Sequence, residues 1–172
     1  ARLGGGEVVG IDIDETALTR FQQRLEPSDV SSRITVRRCS LFDSGLADES
    51  FNILWEEGVL HLLEPERSFA ACSRLLVPEG FLVMHETLEW FEAASQRLPD
   101  WGLVFVDRHL LPKHFWWTEY GAPLESRVRV FRESHGGAAG SPELTRHANE
   151  AAMIKADPDR FDCGFFVFEK RG

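Results

Sequence analysis

Short apolar runs rich in β-branched residues alternate with stretches of helical periodicity through the first two thirds of the chain, and few folds can be built from that alternation. Glu7 to Asp14 (EVVGIDID) is a brief apolar run closed by acids, which predicts a buried parallel strand. Thr16 to Leu25 follows with Ala17, Leu18, Phe21 and Leu25 at helical spacing, and Pro27 and Ser28 stop it. Arg33 to Cys39 and Phe51 to Trp55 read as the next two strands, with the polar turn Ser44 to Ser50 between them. Leu63 to Val77 predicts a helix with Pro65 in its first turn and Phe69, Cys72 and Leu76 on one face. Pro78-Glu79-Gly80 then predicts a turn into the strand Phe81 to His85, a helix over Leu88 to Leu98 and a strand over Leu103 to Leu111. Strands and helices at such close spacing imply an α/β protein, a mostly parallel sheet wrapped by helices on both faces.

After Pro112 the pattern changes. Phe115 to Glu133 and Ser141 to Ala156 predict two helices. The first would bury Leu124, Val128 and Phe131; the second has Ser141 as cap and Pro142 at its first position, and His135 to Gly140 joins the two. Phe161 to Lys170 predicts a closing strand, so residues 112–159 form a helical insertion before the last strand of a single domain over 1–172.

With 172 residues, 43% hydrophobic and 27% charged, the chain can bury one substantial core. Its apolar runs are far shorter than the roughly 20 residues of a membrane helix, so no membrane association is expected. A net charge of −9 argues against nucleic acid as a partner, and Arg127, Arg129 and Arg132 read as a solvated helix face. Cys39, Cys72 and Cys163 have no metal-like spacing; three unpaired small hydrophobes fit a reducing, cytoplasmic setting, and no metal is expected. The composition leaves a homo-oligomer open.

Asp12 ends the first strand, where nucleoside-binding α/β folds place a carboxylate that accepts hydrogen bonds from both ribose hydroxyls. EVVGIDIDETAL, RITVRRCSLF, LADESFNILWEEGVLHLL and PERSFAACSRLLVPEGFLVMHE together resemble, in order and spacing, four consecutive blocks of the class I S-adenosylmethionine-dependent methyltransferases. The later stretch LLPKHFWWTEYGAPLESRV resembles a subgroup with a helical insertion between the last two strands. The resemblance implies a Rossmann-like sheet with an antiparallel final strand, S-adenosyl-L-methionine as cofactor and a small-molecule acceptor. It implies that Asp12 holds the ribose, that Ile13 packs on the adenine, that Ser40 and Leu41 flank the adenine edge, and that Glu56 sits near the methionine end. The family has an aspartate where Ser40 stands. It also has a first strand and a glycine-rich loop before the block containing Asp12. Here Ala1-Arg2-Leu3 resembles the end of the first helix and Gly4-Gly5-Gly6 its stop, so the first strand is expected to be absent and these 172 residues alone are expected to bind the cofactor poorly.

Methyl transfer from a sulfonium is an in-line displacement, helped mainly by positioning and desolvation, with a base needed only where the acceptor must lose a proton. Glu57, His61, His85 and Glu86 fall at or just after the carboxyl ends of strands, where open α/β sheets bind ligands, and of these Glu57, His61 and His85 are the candidate catalytic residues. Trp116, Trp117 and Tyr120, at the start of the insertion, are the candidate acceptor pocket, over a hydrophobic or cationic group. Two rival readings share parts of this pattern. Asp12-x-Asp14-x-Thr16 also fits the nucleophile and acid/base pair of haloacid-dehalogenase-type phosphatases, and a methyltransferase-like domain without activity would look much the same.

Overall fold

The computed structural model describes residues 5–134 and 141–172. The helix end read at Ala1 to Leu3, Gly4 of the glycine stop, and the joint His135 to Gly140 lie outside the described residues. The chain forms two compact units, Ala1–Asp48 and Glu49–Gly172.

In the first unit β1 (Val8–Asp12) pairs in parallel with β2 (Ile34–Arg38), Asp12 opposite Arg38. Between them runs α1 (Glu15–Leu25), whose N-terminus is capped by Asp14: its Oδ1 accepts from the Thr16 and Ala17 amides at 2.8 and 3.3 Å. Neither α1 nor the two strands contain a fully buried residue.

The second unit holds a four-stranded sheet in the order β3-β4-β6-β5. Its strands are β3 (Phe51–Glu57), β4 (Leu76–Thr87), β5 (Leu103–Leu110) and β6 (Cys163–Lys170). β3 and β4 are parallel, and β6 is antiparallel to both β4 and β5. Both units are thus built on parallel strands joined through helices, as the alternation predicts, and in the second unit the final strand is reversed, as the resemblance implies. α2 (Pro65–Leu75) crosses from β3 to β4, and its apolar face buries Phe69, Cys72 and Leu75. α3 (Leu88–Ala94) crosses from β4 to β5.

Successive strand residues point to opposite faces, so the register sorts the side chains of this sheet. One face carries Leu82 and Met84 of β4 beside Phe168 and Phe166 of β6, all at most 1% exposed. Phe91 of α3 lies flat on Phe166, with centroids 3.8 Å apart and planes 6° apart, and this face is the core of the unit. The other face carries Trp55, Val83, His85, Val167 and Phe165.

Several expectations shift, beginning with Leu76, which opens β4 instead of lying on the helix face. The Pro78-Glu79-Gly80 turn lies inside β4, which already pairs Leu76 with Phe51 before an irregularity takes the register to Ile53↔Phe81. Gly80 is required there, since a Cβ would stand 2.9 Å from the Val77 carbonyl and 3.1 Å from that of Asn52. The helix expected to reach Leu98 tightens after Ala94 into a 3-10 segment, Ser95–Trp101, that contains Pro99. The helix expected from Phe115 passes through a π-helical turn, Trp117–Gly121, before α4 (Ala122–Ser134). Along α4, Val128 is buried but Phe131 is 43% exposed. α5 (Pro142–Ala156) begins as read, with the Ser141 hydroxyl accepting from the Leu144 amide at 3.1 Å. Cys72 and Cys163 are buried as expected, while Cys39 is half-buried, and all three are free thiols. Among the described residues no helix is long and apolar enough to cross a membrane, and no cluster of His, Cys, Asp or Glu could hold a metal ion.

Candidate functional site

In the second unit the carboxyl ends of β3 and β4 lie side by side, with Glu56 paired to Met84 and Glu57 to His85. The chain leaves β3 through Gly58 and a short 3-10 turn, Leu60–Leu62. Alternation then divides the candidates between the two faces of the sheet edge.

Glu56 and Glu86 share the core face. Glu56 Oε1 accepts from the Val59 amide and, at 3.0 Å, from the Leu60 amide, which folds the post-β3 loop back onto the strand end. Its Oε2 is buried and has no hydrogen-bond partner among the described residues. Burial pushes the Glu56 carboxyl up to about 7; the two amide bonds oppose this and the neighbouring Glu86 adds to it. Glu86, 3% exposed, receives the backbone N–H of His61 on Oε1 at 3.1 Å. Both of its oxygens face His61 Nδ1, at 3.1 and 3.3 Å. Burial raises the Glu86 carboxyl as well, and His61 works against that. The structure therefore brings Glu56, His61 and Glu86 together.

The raised Glu56 carboxyl gives a first prediction. A carboxyl that holds its proton more tightly folded than unfolded favours the folded state while both are protonated, below pH of about 4.5. That preference is lost as pH rises toward about 7, where the folded carboxyl ionises in its half-buried place. Glu56→Gln removes the loss. With partial solvent screening the variant should be about 1–2 kcal/mol more stable than the wild type at pH 8, a difference that shrinks toward pH 4. Urea unfolding at both pH values measures it; a pH-independent difference would mean that Glu56 is not held in this way.

His85 lies on the other face. Phe165 stacks on its ring at 4.7 Å and Trp116 at 6.0 Å, each 22° from parallel. Tyr120 meets Trp116 edge-on at 5.3 Å, and its hydroxyl donates to Glu150 Oε1 at 2.9 Å. His85 Nε2 is buried without a hydrogen-bond partner among the described residues. Glu57 is exposed and accepts from the Trp55 indole N–H at 2.8 Å, so it holds Trp55, which leans on Phe165 at 5.4 Å. Trp117 does not join this cluster. Its ring closes on Gly121, where a Cβ would come within 2.7 Å, and lies 5.5 Å from Lys155 Nζ.

In the first unit Asp12 stands exposed at the end of β1, and its Oδ1 accepts the Asp14 N–H at 2.9 Å. Ile13 is 70% exposed. Ser40 caps a 3-10 turn, Leu41–Asp43, through its hydroxyl, which accepts from the Phe42 amide at 3.2 Å. Asp14, the second acid of the Asp-x-Asp pattern, is engaged at the α1 N-terminus.

The role of Glu86 was the part that spacing alone did not reveal. Glu86 and His61 are 25 residues apart, and the signal that joins them is a buried acid on the core face of a strand, a position that an unpaired carboxylate does not occupy.

Residues 1–84 match the family model described as a methyltransferase domain. An uncharacterized protein of Haemophilus influenzae is 32% identical over 91 residues, covering 51% of this chain and 36% of that protein. A second uncharacterized protein, from Synechococcus, is 38% identical over 77 residues, covering 44% of this chain and 18% of its own. The chain thus spans about a third or less of the length of these curated relatives. Among solved structures, the (4+2)-cyclase SpnF superposes with a TM-score of 0.80 at 15% identity, over 99% of this chain and 68% of its own. Phosphoethanolamine N-methyltransferase 2 of Haemonchus contortus, in complex with S-adenosyl-L-methionine, gives 0.64 at 18% identity, over 96% and 44%. Geranyl diphosphate C-methyltransferase from Streptomyces coelicolor A3(2), in complex with S-adenosyl-L-homocysteine, gives 0.62 at 14% identity, over 96% and 64%. At such identities the likeness is one of fold.

Proposed function

We propose that this chain, a class I S-adenosylmethionine-dependent methyltransferase by fold and by the match of its first half, transfers a methyl group to a small-molecule acceptor by in-line displacement. The observation that best supports the reading is the buried, unpartnered Oε2 of Glu56 just past β3. A buried acceptor atom without a donor is expensive to keep, at about 1–3 kcal/mol, and is satisfied when a bound group brings an N–H. The methionine end of the cofactor carries an ammonium that fits. Asp12, exposed at the end of β1, offers a carboxylate to a ribose diol, with Ile13, Ser40 and Leu41 as neighbours for an adenine. When bound, S-adenosyl-L-methionine supplies a sulfonium methyl.

Catalysis then rests on aiming the acceptor atom at the methyl carbon and keeping water away. The rings of His85, Trp116 and Tyr120 form an apolar wall with one unsatisfied nitrogen, His85 Nε2, which suits an acceptor that is largely apolar with one polar atom. Replacing Trp116 by Ala should reduce turnover or raise the acceptor KM by about tenfold and leave S-adenosylhomocysteine affinity unchanged. Unaltered kinetics would remove this wall from the acceptor site.

The reading is tested by calorimetric titration of the full-length protein with S-adenosylhomocysteine, followed by transfer of labelled methyl from S-adenosylmethionine to a panel of small molecules. Binding with transfer is the expected result. Binding without transfer to any acceptor would favour a methyltransferase-like binding module, and no binding would remove both.

A further inference from the structure

We propose that Glu86 is a positioning residue that holds His61 as a base, and that the methyl acceptor is therefore a molecule whose attacking oxygen or nitrogen still bears a proton. The inference rests on the reading of this domain as a methyltransferase.

The geometry is that of a carboxylate-oriented imidazole. The Glu86 side chain is 2% exposed and that of His61 is 42% exposed, so the acid is fixed inside while the ring reaches solvent. The His61 backbone N–H donates to Oε1 at 3.1 Å, which locks the loop, and Nδ1 sits 3.1 Å from Oε2 and 3.3 Å from Oε1. A carboxylate at Nδ1 requires the proton on Nδ1 and leaves the lone pair on Nε2. Nε2 makes no hydrogen bond among the described residues. The same division of labour, buried acid to imidazole to substrate proton, makes histidine a base in hydrolytic triads.

The base selects the acceptor's attacking group: a hydroxyl or an amine has a proton to give. An acceptor that attacks through a group with no proton, such as a thioether, would need no base at all. In the step, the acceptor's proton passes to His61 Nε2 and the released lone pair forms the bond to the methyl carbon. The carbon–sulfur pair stays on sulfur, and the imidazolium, held by Glu86, later gives its proton to solvent through its exposed edge.

Two measurements test this. Nitrogen-15 NMR of the full-length protein reads the His61 tautomer directly and needs no acceptor. The Nδ1–H form is expected in the wild type and its loss in Glu86→Gln, whose amide can present an N–H instead. Steady-state turnover on hydroxyl and amine acceptors is the second. Glu86→Gln and His61→Asn should each lower kcat by about 10²-fold with little change in KM, the double variant should be no worse than either, and Glu86→Asp should recover part of the loss. His61 is exposed enough that His61→Asn keeps the fold, and retained S-adenosylhomocysteine binding verifies it. An Nε2–H tautomer in the wild type, or full turnover by His61→Asn, overturns the proposal while methyl transfer itself stands. A wild type that does not bind S-adenosylhomocysteine removes the parent reading, and this one with it.

Discussion

Phe166→Ala should lower the unfolding free energy of the second unit by about 3–5 kcal/mol. Phe166 is fully buried at the centre of β6, opposite Met84 of β4 and Arg108 of β5, with Phe91 of α3 flat against it. Truncation removes the apolar area of a ring and leaves a cavity whose walls are a sheet and a helix stacked on it, neither of which can close the gap without breaking its own pairing. A domain is stable by roughly 5–15 kcal/mol, so the variant would be near the edge of folding at 37 °C. Tryptophan fluorescence in urea isolates the effect, because all five tryptophans lie between Trp55 and Trp117, within this unit. Phe165→Ala is the internal comparison. Phe165 is only half-buried and faces His85 and Trp55, so it should lose clearly less stability. Equal losses would mean that β6 does not separate a core face from a site face.

That separation organises the unit chemically. One strand end puts Glu86 toward the core, where burial obliges it to take His61 as partner, and puts the adjacent His85 toward the aromatic face, where it stacks with Phe165 and Trp116 and its Nε2 has no partner among the described residues. Two consecutive residues thus carry two different tasks, an acid that orients and an imidazole that waits for a partner. The period of two in a strand is sufficient to assign them.

What could be read from the sequence follows from the range of the interactions involved. Strand identity is a local property of β-branched and apolar runs, and the six strands among the described residues lie where those runs are. The Ser141 cap and Pro142 start of α5 are equally local and were legible. The extension of β4 through Pro78 to Gly80 was not, since Pro-x-Gly signals a turn and only pairing with Phe51 keeps the segment in the sheet. The π-helical turn at Trp117 was likewise hidden. It rests on Trp117 closing over Gly121, a contact that periodicity does not encode. The same turn explains why Trp116 and Trp117 part company: consecutive helical residues point about 100° apart, so one reaches His85 and the other Lys155. Among the site residues, His61, His85 and Glu57 could be placed at strand ends by counting. That Glu57 holds Trp55, and that Glu86 holds His61, depends on the β3–β4 register.

Asp12→Asn should weaken S-adenosylhomocysteine binding by about 1.5–3 kcal/mol, roughly 10- to 150-fold in Kd, with the fold intact. Asp12 closes β1 with its backbone tied into the sheet: its carbonyl accepts the Cys39 N–H at 3.1 Å, and its Oδ1 accepts the Asp14 N–H at 2.9 Å. Asparagine keeps an oxygen for the Asp14 amide, and the α1 cap belongs to Asp14, so neither the strand end nor the helix start loses a bond. What changes is the charge. A carboxylate accepts from two vicinal hydroxyls at once with charge-assisted bonds, whereas an amide offers one acceptor and turns a donor toward the second hydroxyl. The substitution therefore separates a ligand role from a structural one at a single atom. Calorimetric titration of the full-length variant gives the affinity, and thermal unfolding without ligand gives the stability. Weaker binding at an unchanged Tm is the expected pair of results. Unchanged affinity would take Asp12 out of the cofactor site, and a fallen Tm would make its part in the β1 turn the larger one.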